Sequence, residues 1–358
     1  MTQDNNYVVI MAGGIGSRFW PFSRTNNPKQ FHDVLGIGTT LLQMTVNRFR
    51  DICAIENILI VTNVDYKHLV KEQLPDLPEQ HILCEPIGRN TSPAIAYACY
   101  KIYQLNPQAN IVVAPADHVI LKEEAFKKVV REALQAAAKQ DVLLTLGITP
   151  TRPDTGYGYI QFIDEDQPLK KVKTFTEKPD LELARVFLDS GDFVWNAGIF
   201  IWNVKSILHA FRMHLNEIAE IFEEGAAYLN TPQECEFINR AYSHCRNVSI
   251  DYGIMEKADN VYVILSDLGW SDLGTWNSLY SIGAKDAQGN VVDGDALLYE
   301  THNCIVKTPE ERLVVIQGLE NFIVAEYDNV LLICHKEEEQ RIKEFVADVK
   351  NKKGPGYC

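Results

Sequence analysis

The sequence predicts an α/β protein with a mixed, mostly parallel sheet, followed by a small β-rich region closed by a helix. Three observations predict it. Short apolar runs alternate with helix-length segments through the first half of the chain, the pattern of strand–helix–strand crossovers that cover both faces of a sheet. A glycine cluster, Gly13-Gly14-Ile15-Gly16, directly follows the first apolar run. Beyond about residue 284, short strands separated by turn signals replace the alternation. With 358 residues and roughly 150 per domain, two domains are expected, placed at 1–284 and 285–358.

The elements follow in order. Residues 7–11 form a buried strand that ends in Ala12-Gly13-Gly14, and 57–61, 111–114 and 142–146 form three more. The segments 41–50, 66–73, 91–103 and 122–139 are compatible with helices. After Thr149 the texture changes: 156–160 and 171–175 read as hairpin or edge strands, 180–189 as a helix, and 195–202 as an apolar strand. One helical stretch runs from about 205 to 228, and 261–265 returns to strand. No linker rich in Gly, Ser or Pro interrupts this part, so it elaborates the same sheet. The C-terminal strands are placed at 296–299, 304–307, 313–316, 322–325 and 330–334. The last helix carries Ile342, Phe345, Val346 and Val349 as one apolar stripe that must dock on something.

Composition narrows the function classes. With 46% hydrophobic and 23% charged residues the chain can bury a full core, and no apolar run approaches the ~20 residues that a bilayer demands. Residues 1–6 lack the basic and apolar blocks of a secretion signal. The eight cysteines are scattered singly, without metal-ligand spacing, which fits reduced thiols in the cytoplasm. A net charge of -14 argues against general nucleic-acid binding. Yet residues 5–32 contain no acid while holding Arg18, Arg24 and Lys29, so an acid-free basic segment surrounds the glycine cluster. That arrangement suits a small anion such as a phosphate.

The motifs sharpen the chemistry. Glycines after a strand allow a tight turn whose N–H groups approach phosphate oxygens, although the alternative is a plain strand-to-helix turn. Phe19 stands where a dinucleotide fingerprint needs its last glycine, and no Gly-Lys-Ser/Thr closes a P-loop. Asp117, in Pro115-Ala116-Asp117-His118, lies at the strand edge where parallel sheets bind ligands. With Asp272, in Trp270-Ser271-Asp272-Leu273-Gly274, it offers a pair of magnesium ligands, helix capping being the alternative for each. His118 is read as structural, since a phosphate nucleophile needs no base at neutral pH. Glu177 and Lys178 are neighbours on an extended segment and cannot both face one pocket unless the strand bulges. Asn196, inside an apolar strand, needs a partner for its amide, either a ligand or a backbone group.

Taken together, nine segments resemble the mannose-1-phosphate guanylyltransferases within the sugar-phosphate nucleotidyltransferase family. They are 11–24 (MAGGIGSRFWPFSR), 28–31 (PKQF), 85–96 (EPIGRNTSPAIA), 115–120 (PADHVI), 155–160 (TGYGYI), 175–179 (FTEKP), 195–200 (WNAGIF), 249–258 (SIDYGIMEKA) and 270–276 (WSDLGTW). The resemblance implies a Rossmann-like catalytic domain and a left-handed β-helix-like C-terminal domain, often used in dimer contacts. It implies transfer of GMP from GTP to mannose 1-phosphate, with Mg²⁺ as cofactor. Gly13, Gly14, Gly16 and Arg18 would hold the triphosphate, and Lys29 would neutralise the departing pyrophosphate. Glu85, Arg89, Asn90 and Thr91 would lie at the guanine and ribose, and Asp117 and Asp272 at the metal. Lys178 would grip the sugar phosphate, with Gly156, Glu177 and Asn196 at the sugar hydroxyls. Ala197 stands where the family usually has serine. The chain leaves no room for the fused isomerase domain of longer bacterial relatives, so transferase activity alone is expected, in a cytoplasmic homodimer. The alternatives are the same chemistry on another nucleotide or sugar phosphate, or a silent sensor of GDP-mannose.

Overall fold

A computed structural model describes residues 5–358; the first four residues of the N-terminal stretch read above lie outside the described residues. The described residues group into two compact units, neither continuous in sequence. The first comprises residues 5–13, Thr45–Ala116 and Ile120–Trp270; the second comprises Gly14–Met44, Asp117–Val119 and Ser271–Cys358. The glycine cluster is divided, Gly13 in the first unit and Gly14 and Gly16 in the second.

The first unit is built on one nine-stranded sheet. Its strands are β1 (Asn6–Met11), β2 (Ile58–Asn63), β3 (Ile82–Glu85), β4 (Asn110–Pro115), β5 (Leu143–Ile148), β6 (Gly158–Phe162), β7 (Lys170–Glu177), β8 (Phe193–Asn203) and β9 (Val261–Ser266). They lie in the order β3-β2-β1-β4-β8-β5-β9-β7-β6, with β6 also pairing β8. β8 runs antiparallel to β4 and β5, and β7 antiparallel to β9, while β1 pairs parallel with β2 and β4. The helices, in chain order through both units, are α1 (Leu41–Phe49), α2 (Lys67–Gln73), α3 (Thr91–Leu105), α4 (Glu123–Ala137), α5 (Leu181–Ser190), α6 (Val204–His214), α7 (Asn216–Glu224), α8 (Glu234–His244), α9 (Trp276–Ile282) and α10 (Ile342–Lys353).

Burial explains the strands. β1, β2, β4 and β5 are apolar along their length because helices cover both faces, which is why they read as continuous runs rather than alternations. Val9, Val61, Val113, Trp202, Phe211 and Phe222 belong to the core beneath α3, α6 and α7. The expected single helix over 205–228 is two, because Leu215 leaves helical geometry (φ -135°) and lets α6 and α7 fold onto the same core. β8 departs from a plain strand. Its pairing with β5 shifts register between Thr145 and Gly147, and Gly198 within it adopts φ +66°. A left-handed glycine at such a shift marks a bulge, which re-aims the neighbouring side chains.

The second unit contains β10 (Val291–Asp293), β11 (Ala296–Tyr299), β12 (Ile305–Lys307), β13 (Val314–Gln317), β14 (Phe322–Tyr327) and β15 (Val330–His335). β10, β12 and β14 stack in parallel, as do β11 and β13, and β15 closes the stack antiparallel to β14. Successive turns of chain laying short strands in parallel register give a β-helix-like coil. The apolar stripe of α10 docks here: Ile342 is buried in a cluster with Phe19, Trp276, Ile305 and Ile323, and Phe345, Val346 and Val349 pack against it. Phe19 stacks on Trp276 with centroids 4.6 Å apart, anchoring the segment that follows the glycine turn.

Candidate active site

Within the second unit, the glycine turn is open and its exit is fixed. Gly14 and Gly16 are exposed, and Gly16 adopts φ +70°, where a Cβ would also sit 3.1 Å from that of Lys29. The buried hydroxyl of Ser23 donates to the carbonyl of Ile15 and accepts from the N–H of Lys29 at 3.0 Å. Ser23 was not singled out in the sequence; a lone serine inside WPFSR carries no periodic signal. Arg18 lies half-buried in the one-turn helix Ser17–Phe19.

Lys29 joins Asp117 and the segment around Asp272 within this unit. It is 3% exposed, and its Nζ lies 2.9 Å from Oδ2 of Asp117 and 2.9 Å from each of the carbonyl oxygens of Asp272 and Leu273. Three donors meet three acceptors, so the ammonium is fully satisfied. Asp117 through its carboxylate and Asp272 through its backbone carbonyl both reach this one nitrogen. Burial tends to raise the Asp117 carboxyl, but Lys29 and His118 outweigh it and hold it below the usual carboxylate range. Asp272 turns one oxygen back to the N–H of Gly274 at 2.9 Å, and the cap of α9 falls to Thr275, whose hydroxyl accepts from the N–H of Ser278 at 3.2 Å. The capping alternative for Asp272 is therefore set aside. Two hard carboxylates are a donor set that suits Mg²⁺.

In the first unit, Glu85 ends β3 and is 7% exposed. Its Oε1 has no hydrogen-bond partner, and a Cβ on Gly13 would come 3.3 Å from its Oε2. Burial pushes this carboxyl up to about 7, with the hydroxyl of Tyr242 only partly opposing the rise. A buried carboxylate oxygen without a partner costs about 1–3 kcal/mol and is the kind of group a ligand satisfies. A few residues on, Arg89 donates to the carbonyl of Tyr242 at 3.2 Å. Asn90 holds φ +65° and caps α3 by accepting the N–H of Thr91 at 2.9 Å. The Thr91 hydroxyl accepts from the N–H of Ile250 at 2.8 Å. Strand β3 itself was not recognised in the sequence, because ILCE is short and borders a proline.

A second group forms elsewhere in the first unit. Lys178 adopts φ +49° immediately after β7, and its Nζ meets Oε1 of Glu177 at 2.5 Å. The two neighbours therefore do reach one place, through a left-handed turn and not a bulge. Gly158 pairs with Glu177 across the hairpin, and any Cβ there would run into Oε2 of Glu177. Gly156, two residues earlier, gives its N–H to Oδ1 of Asp154 at 2.8 Å. The amide of Asn196 finds side chains as well as backbone: its Oδ1 accepts from the Thr145 hydroxyl at 3.0 Å and the Gly198 N–H at 3.1 Å. Its Nδ2 donates to Oδ1 of Asp251 at 2.8 Å. Burial first, and Glu177 second, raise the Asp251 carboxyl to about 6. Asp251 and Gly158 fall inside the segments 249–258 and 155–160 without standing out there as site residues, since their roles rest on the partners Asn196 and Glu177.

Comparison with known proteins agrees with this layout. A family model described as nucleotidyl transferase matches residues 7–289, and one described as MannoseP isomerase/GMP-like beta-helix domain matches residues 294–349. The chain is 37% identical over 350 residues to the alginate biosynthesis protein AlgA of Pseudomonas aeruginosa, covering 95% of this chain and 71% of that one. It is 36% identical over 362 residues to a mannose-1-phosphate guanylyltransferase of Escherichia coli strain K12, covering 98% and 74%. A crystal structure described as mannose-1-phosphate geranyltransferase, from Thermus thermophilus, superposes with a TM-score of 0.88 at 30% identity, over 97% of this chain and 99% of that one. The chain belongs to the nucleotidyl transferase family and carries the β-helix domain of that group.

Proposed function

We propose that this protein transfers the GMP group of GTP to mannose 1-phosphate, giving GDP-mannose and pyrophosphate. The observation that carries the reading is the buried Glu85 carboxylate, with Oε1 unpartnered and Gly13 beside it. Guanine presents two adjacent donors, N1–H and the 2-amino group, and a carboxylate is their complement; adenine presents an acceptor there instead. The names of relatives such as the Escherichia coli guanylyltransferase support the same substrates.

The reaction is an in-line displacement. A phosphate oxygen of mannose 1-phosphate forms a bond to the α-phosphorus of GTP, and the bond from that phosphorus to the bridging oxygen of pyrophosphate breaks. No side chain need become covalently attached, so catalysis rests on positioning and charge. Gly13, Gly14 and Gly16 offer N–H groups to the phosphates, and Arg18 stabilises the charge that develops on them. Glu85, Arg89, Asn90 and Thr91 hold the guanosine; Gly156, Glu177 and Asn196 face the sugar, with Lys178 on its phosphate. Lys29 neutralises the leaving pyrophosphate, which requires it to exchange one of its three present acceptors for a phosphate oxygen. Asp117 and Asp272 would hold Mg²⁺, which when bound supplies positive charge to the phosphates.

We assign this chemistry to residues 1–284 and place 285–358 at a homodimer contact. Leu297 and Val315, register partners on β11 and β13, are 47% and 60% exposed and offer a paired apolar surface for it. No helix among the described residues is long and apolar enough to cross a membrane, and the cytoplasm, with no membrane or nucleic-acid partner, is the proposed setting. The test of function is phosphorus NMR of a mixture of enzyme, GTP, mannose 1-phosphate and Mg²⁺. The expected result is the coupled pair of a sugar diphosphate together with free pyrophosphate. Bound GDP-mannose without turnover would replace this reading with the sensor.

A further inference from the structure

We propose that Asp251 is the specificity-determining group of the sugar subsite, and that Asn196 and Thr145 are its positioning residues. The inference rests on the reading of this protein as a sugar-phosphate transferase and names the group that reads the sugar.

The two ends of the Asn196 amide look alike in shape, but their partners differ and fix its orientation. Oδ1 is occupied by two donors, the Thr145 hydroxyl at 3.0 Å and the Gly198 N–H at 3.1 Å. The amino end is therefore forced toward Oδ1 of Asp251, 2.8 Å away. The bulge is what makes this possible: Gly198 at φ +66° turns its own N–H back onto Asn196, at the shift of β8 against β5. Three elements far apart in sequence thus form one chain, Thr145 on β5, Asn196 on β8 and Asp251 in a single π-helical turn, Asp251–Met255. π-Turns of this kind are rare and gather at functional sites.

Asn196 has one N–H left for the sugar, since its oxygen is saturated and its other N–H is spent on Asp251. Asp251 accepts at one oxygen and is half-buried, with Glu177 close enough to raise its carboxyl and Lys178 close enough to oppose that rise. Two carboxylates held near each other repel, and vicinal sugar hydroxyls relieve that repulsion by donating to both. In mannose the 2- and 3-hydroxyls lie on one face of the ring and in glucose on opposite faces, so two fixed carboxylates that fit the first pair are misplaced for the second. Glu177 lies close against Gly158, where any Cβ would meet its Oε2 and come within 3.5 Å of Asn196, so the bare glycine leaves room for the carboxylate beside Asn196. The charge of Lys178 beside them marks where the phosphate of the same molecule would lie.

The test is steady-state kinetics of wild type, Asp251→Asn and Thr145→Val with mannose 1-phosphate and its 2-, 3- and 4-deoxy analogues. The Asp251→Asn change keeps shape but replaces an acceptor with a donor, so kcat/KM for mannose 1-phosphate should fall about 10–100-fold while KM for GTP stays within about twofold. The decisive readout is the analogue pattern. One deoxy analogue, lacking the hydroxyl that Asp251 reads, should be used almost equally by wild type and variant. Thr145→Val, which frees Asn196 to turn and also removes the hydroxyl's bond to the carbonyl of Ile199 at 3.2 Å, should show the same pattern at a few-fold depth, and serves if Asp251→Asn fails to fold. Equal losses against all four substrates would mean a purely structural role and overturn the inference, leaving the transferase reading in place. A wild type inactive on mannose 1-phosphate would overturn both.

Discussion

Replacing Glu85 by glutamine should move stability and substrate affinity in opposite directions. The folded carboxyl titrates at about 7, against 4.5 for an ordinary glutamate. Between those two values the folded protein keeps a proton that the unfolded chain has released, so stability falls as pH rises through that window. Above it the loss levels off at an upper bound of about 3 kcal/mol, since a tenfold change in proton affinity is worth roughly 1.4 kcal/mol. Glutamine does not titrate, but its amide still lacks a partner at the position of Oε1. Glu85→Gln should therefore gain about 1–2 kcal/mol at pH 8 and almost nothing at pH 4, or about 2–4 °C in Tm at the higher pH. Meanwhile KM for GTP at pH 8 should rise about 10–100-fold, because an amide cannot accept from both guanine donors. Urea denaturation at the two pH values and initial rates against GTP measure both. A variant less stable than wild type at pH 8, or one with an unchanged KM for GTP, would refute the reasoning.

Other consequences are simpler. Arg18→Ala should lower kcat by about 10²–10³-fold with Tm nearly unchanged, since Arg18 is half-buried on an open turn; a near-normal rate would remove it from the mechanism. Lys29→Met strands the Asp117 carboxylate and two carbonyls, and should cost about 3–5 kcal/mol in urea denaturation; a loss under about 1 kcal/mol would contradict the structural tie described here. Gly158→Ala should displace Glu177 and cut kcat/KM for the sugar phosphate about 10-fold or more, leaving KM for GTP alone. A change confined to GTP would place Glu177 elsewhere.

What the sequence displayed and what it hid divide along physical lines. Buried strands such as β1 and β4 announce themselves because burial on both faces demands uninterrupted apolar residues. The stripe of Ile342, Phe345, Val346 and Val349 likewise fixes a docking face by its spacing alone. Strand β3 and helix α8 went unread: the first is too short for a period, and the second mixes charges with few apolar anchors. The residues of the candidate site stand out one by one, but their relations do not. That Lys29 ties Asp117 to Asp272 is a matter of three segments brought together by folding. Glu177 and Lys178 looked incompatible because strand geometry was assumed, whereas a left-handed residue follows the strand. Asp251 was hidden for the same reason as Ser23: a single polar residue shows its purpose only through partners distant in sequence.

The central claim is best tested by measuring pyrophosphate release with Mg²⁺ while crossing four nucleoside triphosphates with mannose, glucose and N-acetylglucosamine 1-phosphates. The predicted maximum lies at GTP with mannose 1-phosphate. A maximum at another pair would contradict the proposed substrates while keeping the chemistry, and no release from any pair would contradict the transferase itself.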